Sequence, residues 1–255
     1  MTPFLQTRGL SIRKGNRILC QQLDLTVNKG EVWGVLGQNG VGKTSLLYSI
    51  AGLESPHQGE RIVMQQQIET YSKRQIAQQL GLMLQDTADP FPSTVLQTAL
   101  IGRHPYLSRW QWESQKDIKL TRTMLEKVGL NGFEHRQVTS LSGGERRRLA
   151  LATLLIQSPP IMLLDEPTNH LDLHYQHAML KLLLQQSNQQ HAVFMVLHDV
   201  NLVSQYCTHA LLLFNNEKPI SGPCHSVLTV DNLSRVFETQ IKKYCINTRD
   251  FYYID

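Results

Sequence analysis

The run from Gly37 to Thr44, GQNGVGKT, constrains this chain more than any other stretch. It follows a compact apolar segment, Val32 to Leu36, and leads into the helix-forming Ser45 to Ala51, closed by Gly52. A strand, a glycine loop and a helix in that order bring many backbone N–H groups to one point, and the helix dipole adds its positive end there. Such a point suits a phosphate chain. Gly37, Gly40 and Gly42 permit the close wrap, with Gln38, Asn39 and Val41 completing the loop and Ser45 following it. Lys43 is predicted to contact the β- and γ-phosphates, and the Thr44 hydroxyl to ligate Mg²⁺.

Hydrolysis of a bound triphosphate needs a carboxylate for Mg²⁺ and a base for the attacking water, both at the C-terminal end of a neighbouring parallel strand. The run IMLLDEPTNHLD supplies them. Ile161 to Leu164 carry Asp165 to a strand edge as the metal ligand, and Glu166 is placed to polarise water. An acidic pair after an apolar run is usually just a strand end. The glycine loop upstream turns the balance toward function.

The remaining texture sets the expected architecture. Short β-like segments at Leu10 to Ile12, Ile18 to Cys20 and Leu23 to Val27 are separated by turn signals at Lys14-Gly15-Asn16 and Asn28-Lys29-Gly30, as in an antiparallel sheet. Val193 to Leu197 is a further buried strand. From Ile76, helical periodicity interrupted by Pro90, Pro92 and Pro105 persists through Leu120 to Val128, and Asp86 to Gln157 is expected to be an inserted, mainly helical subdomain. Gln185 to His191, QQSNQQH, reads as a solvated helix end or loop. The expected fold is α/β: a P-loop NTPase core with a mixed, mostly parallel sheet, an N-terminal antiparallel β subdomain and the helical insert, all within a single domain over residues 1–255.

Composition narrows the function classes. The net charge of +4 is spread along the chain, so no nucleic-acid partner is expected. Cys20, Cys207, Cys224 and Cys245 form no CxxC pair and read as reduced, mostly buried thiols. No stretch approaches the roughly 20 apolar residues that span a bilayer, and the N-terminus lacks a signal-peptide core. Any work at a membrane is expected to depend on a partner.

Between the two phosphate-site motifs lies Leu141 to Glu145, LSGGE. In that position it resembles the signature of ATP-binding-cassette (ABC) proteins, and the resemblance covers essentially the whole chain. It implies a head-to-tail homodimer in which Ser142, Gly143, Gly144 and Glu145 face the nucleotide on the second copy, with Ser142 and Gly144 meeting its γ-phosphate. Gln85 matches the Q-loop glutamine, a sensor of Mg²⁺ and water that links the site to a partner. His198 matches the switch histidine at the γ-phosphate, and Asp172 the D-loop. Arg146, Arg147 and Arg148 read as a solvated or partner-facing helix side. Many family members stack adenine on an aromatic residue at the position of Lys14, and neither Lys14 nor Arg13 is aromatic; an arginine plane could take that role. His170, His174 and His177 have helix-compatible spacing but lack the carboxylate or Cys support of a metal site, and the D-loop accounts for the segment. Trp110 and Trp112 read as partner-facing or as packing within the subdomain.

Two function classes compete. DEPTNHLD and LSGGE also resemble the motifs of cassette translation factors, which would make this a soluble ATPase acting on the ribosome or nucleic acid. Those factors carry two cassettes and a charged linker, whereas one cassette is expected here. PFPSTVLQTALIGRHPY, with Gly102, Arg103, His104 and Pro105, resembles the segment after the Q-loop in importers of iron-siderophore, haem and cobalamin. Gly222-Pro223 with HSVLTVDNLSRVFE resembles the end of those ATPases. That likeness implies ATP and Mg²⁺ as cofactors, integral-membrane permease subunits reached through the Q-loop and helical subdomain, and indirectly a substrate-binding protein. It also implies a peripheral place on the cytoplasmic face of the inner membrane.

Overall fold

The first turn signal sits where expected, between β1 (Leu5–Lys14) and β2 (Arg17–Val27), which pair antiparallel. They belong to a computed structural model that describes residues 2–85, 92–108, 110–188, 190–215, 217–247 and 249–254. The two short segments expected at Ile18 to Cys20 and Leu23 to Val27 are one strand. Gln22, at φ 50, takes up an irregularity without ending the pairing. Next, β3 (Val32–Leu36) runs fully buried into the glycine loop and α1 (Lys43–Ile50). β4 (Gln58–Val63) and β5 (Gln66–Gln67) return to complete a four-stranded antiparallel sheet in the order β2-β1-β4-β5.

α2 (Lys73–Gln79) then leads into β6 (Leu80–Met83). Before the next strand come α3 (Val95–Leu100), a 3₁₀ segment at Ile101–Tyr106, α4 (Gln115–Lys127) and α5 (Gly143–Gln157). The helical stretch expected from Asp86 is thus present from Val95 onward; residues 86–91, where it was expected to begin, lie outside the described residues. Arg103, in the 3₁₀ segment, bonds Asp117 on α4 at 2.8 Å, and this fixes the Gly-Arg-His-Pro stretch to its neighbour.

β7 (Ile161–Asp165), α6 (Leu173–Asn188), β8 (Ala192–Val196) and α7 (Val200–Tyr206) follow. β9 (His209–Leu212), β10 (Ile220–Pro223), α8 (Cys224–Val227), α9 (Val230–Phe237) and the hairpin of β11 (Ile241–Ile246) and β12 (Arg249–Ile254) end the chain. The central sheet runs β10-β9-β3-β8-β7-β6, parallel throughout except for β10.

Every residue of β3, β7 and β8 is buried, because the sheet is covered on both faces. Alternate side chains divide between two cores. Val32, Leu36, Met162, Leu164, Val193 and Met195 join the side that includes α5, α6 and α7. Trp33, Val35, Ile161, Leu163, Phe194 and Val196 join α1 and the N-terminal antiparallel sheet. The sheet is therefore clamped between layers, and its C-terminal edge is a rigid base for the loops that leave it.

One expectation needs correcting. Asp165 does not end a strand next to the glycine loop's own strand, because β8 lies between β3 and β7. The gap is bridged from above, where α1 packs across toward β7. Interposing β8 brings His198, just past its end, to the same edge.

Candidate active site

The glycine loop lies between the end of β3 and the start of α1. Gly42 takes φ 112, and a Cβ there would sit 2.7 Å from the Cβ of Leu19 on β2. Neither the backbone angle nor the space admits a side chain. Gly42 also caps α1 without any side-chain hydrogen bond. By contrast, α2, α3, α4 and α5 each begin with a full capping box. The first amides of α1 therefore lack an intrahelical acceptor and a side-chain cap at the one helix start that follows the glycine loop.

Lys43 is buried and donates from Nζ to the carbonyls of Gly37 at 2.8 Å and Gln38 at 2.9 Å. An ammonium carries three donors, so one is left for a ligand. Burial lowers its pKa, opposed by the charges of Glu166 and Asp165.

Asp165, at the end of β7, is fully buried, and neither carboxylate oxygen has a hydrogen-bond partner. Its pKa is raised chiefly by burial; the Thr44 hydroxyl is close enough to pull it back down without forming a bond of good geometry. A native fold seldom leaves a buried carboxylate without partners. Asp165 and the Thr44 hydroxyl beside it are oxygen donors of the kind Mg²⁺ takes, and Gln85 lines the same cavity as Thr44.

Glu166 faces a different environment. Its Oε2 accepts from Nε2 of Gln85 at 2.8 Å and from Nδ2 of Asn169, and its Oε1 pairs with Nε2 of His198 at 2.7 Å. Its backbone stands at φ 49, a left-handed conformation rare for a glutamate. Three residues named from sequence, Gln85, Glu166 and His198, thus meet although they lie in three separate segments. They join Asn39, Gly40, Gly42, Lys43, Thr44 and Ser45 around one cavity of about 590 Å³. Lys14, Arg17 and Leu19 close its outer side.

That outer side sharpens the adenine question. Lys14 lines the cavity as its alignment suggested, but Arg13 turns its Nε to the carbonyl of Gly15 at 3.0 Å. The arginine at the cavity is Arg17, missed in the sequence; its Nη2 bonds Asn215 at 2.5 Å, and Asn215 bonds Gln38 of the glycine loop at 3.2 Å.

The structure does not bring the LSGGE segment into this cavity. Ser142 caps α5, with its backbone N–H donating to Glu145 at 2.7 Å, and that bond together with Arg136 holds the Glu145 pKa low. Asp172 accepts from the N–H of Tyr175 at 3.0 Å at the start of α6. Ser142 to Glu145 and Asp172 are absent from the described lining of the cavity.

Four other readings are sharpened or changed. Arg146 and Arg148 bond nearby carbonyls, and Arg148 also lies over Tyr175, but Arg147 is buried, not solvated or partner-facing. Trp110 and Trp112 are 88% and 87% exposed, which removes the packing alternative. Among the cysteines only Cys20 is buried, and Cys245 is exposed; all four are free. His177 contacts the Tyr206 hydroxyl at 2.5 Å, while His170 lies at φ 62 before α6 begins, so the three histidines do not share one helix face.

Comparison with known proteins bears on the whole arrangement. The ABC transporter family model matches residues 20–169, more than half of the chain. The petrobactin import ATP-binding protein FpuD of Bacillus anthracis is 34% identical over 241 residues, covering 94% of this chain and 88% of that protein. The hemin import ATP-binding protein HmuV of Pseudomonas fluorescens is 33% identical over 243 residues, covering 93% and 94%. A solved inward-facing structure, assigned to the metal-chelate type of ABC transporter, has a TM-score of 0.85 at 29% identity and covers 100% of this chain and 97% of its own. A likeness that runs nearly from end to end, in sequence and in fold, shows that this chain belongs to the ATP-binding subunits of ABC transporters and is an ATPase.

Proposed function

We propose that this ATPase powers a membrane importer of a metal chelate, of the siderophore, haem or cobalamin class, from the cytoplasmic face of the membrane. The likeness to import ATP-binding proteins of that class supports this reading. Among the described residues no helix is long and apolar enough to cross a membrane; permease subunits carry the substrate across, as the names of the import relatives support. A soluble role on the ribosome or on nucleic acid gains no support from these relatives.

The observation that carries the mechanism is the meeting of Lys43, Gln85, Glu166 and His198 around one cavity, with Asp165 left without partners beneath it. The amides at the start of α1 and the spare donor of Lys43 bind the β- and γ-phosphates. Thr44, Gln85 and Asp165 would hold Mg²⁺, which would supply positive charge against that building on the phosphate oxygens. Glu166 accepts a proton from the attacking water. His198 holds the Glu166 carboxylate from one side and reaches the γ-phosphate from the other. Ser142 to Glu145 of a second copy close the site, offering the start of α5 to the same phosphate, while Asp172 orders the adjoining turn. ATP then binds between two copies, and hydrolysis separates them.

Gln85 and the helices from Val95 to Gln157 carry this closure to the permease. Co-purification with a polytopic membrane protein that stimulates ATP hydrolysis is the expected result. Stable ribosome association without any membrane partner overturns the import reading.

A further inference from the structure

Arg147 stands one helical turn beyond the start of α5, on the inward face it shares with Leu151 and Leu154. Its side chain passes between two loops and is only 6% exposed. Nη1 donates to the carbonyls of Leu84 at 2.6 Å and Gln85 at 2.5 Å. Nη2 donates to the carbonyl of Asp165 at 2.6 Å and to that of Glu166, and Nε reaches the carbonyl of Pro167 at 3.3 Å. A guanidinium offers five N–H donors in a fixed planar fork, and here the fork reaches backbone oxygens of both loops that flank the phosphate site.

These acceptors have a particular value. Glu166 sits at φ 49, a strained conformation that persists only where its surroundings hold it. Arg147 binds the carbonyls on both sides of the Glu166 peptide unit and so defines the turn that aims its carboxylate. The direct link between Gln85 and Glu166, at 2.8 Å, joins side chains and is lost whenever Gln85 changes partner. The link through Arg147 runs from backbone to backbone and does not depend on where the Gln85 amide points.

We propose that Arg147 is a positioning residue that binds the Gln85 loop and the Asp165–Pro167 turn into one mechanical unit, so that a displacement of Gln85 moves Glu166 with it. This rests on Glu166 being the base and Gln85 the partner-facing residue. Because Arg147 shares a helix with Ser142 to Glu145, capture of a second copy's nucleotide at the start of α5 is passed to the copy's own Glu166 along a single rigid element.

The test is Arg147→Lys in the full-length protein, assayed for steady-state ATP hydrolysis. Lysine keeps the charge but cannot span two loops. The expected result is a fall in kcat of about 10- to 100-fold, the scale of a 1 Å misplacement of a reacting group, with KM for ATP within about twofold of wild type. A kcat within twofold of wild type overturns the proposal. So does a loss in which KM rises in step with a lowered melting temperature, since that marks a merely structural role. Glu166→Gln run in parallel separates the two readings: sustained turnover in that variant removes the base assignment whatever Arg147→Lys does. Should Arg147→Lys fail to fold, amide exchange in the wild type decides. Amides around Gln85 and those of Glu166, Thr168 and Asn169 are expected to change protection together on adding a non-hydrolysable ATP analogue, and independent changes overturn the link.

Discussion

Replacing Asp165 by Asn tests the site at its most unusual point. The wild-type carboxylate is fully buried with both oxygens unpartnered, and burial raises its pKa. An unsatisfied buried polar group costs about 1–3 kcal/mol, and more if charged. The positive charges of Lys43 and Arg147 return part of this. Asparagine keeps the shape and still buries an unpartnered polar group but removes the added penalty of the charge, so without metal or nucleotide the variant is expected to be more stable, by on the order of 1 kcal/mol. In a domain of this size each kcal/mol raises the melting temperature by about 2–4 °C.

The pH dependence has a definite sign. A carboxyl whose folded pKa lies above its unfolded value of about 3.9 takes up a proton on folding. Its penalty is full above the folded pKa and fades as pH falls toward the unfolded one. The advantage of Asp165→Asn is therefore largest at neutral to alkaline pH and shrinks on acidification. Calorimetry in a chelating buffer across that range measures it, while Mg²⁺-dependent hydrolysis by the variant is expected to be lost. A variant less stable than wild type at pH 8, or a gap that does not close in acid, refutes the account of Asp165 as a carboxylate kept strained for a cation.

Glu166→Gln is expected to lower turnover by about 10²- to 10⁴-fold, the range of general-base catalysis, while ATP binding persists and the dimer stays closed in size-exclusion chromatography. Undiminished turnover refutes the base assignment. Gly42→Ala meets both a φ of 112 and the Leu19 Cβ at 2.7 Å, so a stability loss of about 1–3 kcal/mol and weakened nucleotide binding are expected by calorimetry and titration. An unchanged melting temperature shows that the loop can relax.

Much of the site was legible in the sequence because its parts are punctuated. Glycine spacing marked the loop, and an apolar run of strand length marked the approach to Asp165. The order of Gln85, Glu166 and His198 did the rest through resemblance. Arg147 and Arg17 were harder to see. An arginine in a row of three looks like a solvated face, and only the phase of α5, which puts residue 147 in register with Leu151 and Leu154, hints that it turns inward. Arg17 reaches the cavity from a strand of the antiparallel sheet, and no spacing rule ties that strand to the loop it covers. The position of β8 between β3 and β7 was hidden for a similar reason: buried parallel strands are uniformly apolar, so their lateral order leaves no trace in composition.

The uncapped start of α1 has a consequence for how the molecule is assembled. A helix whose first amides find neither a side chain nor a preceding carbonyl is not finished by its own sequence. In the proposed function the phosphates supply the missing acceptors, so the nucleotide completes the element as well as serving as substrate. Part of the folding free energy of this segment is thus held outside the polypeptide, and the thermal midpoint of the protein should climb with the logarithm of ATP concentration. In a cell, the supply of fuel then also sets how firmly the engine is built.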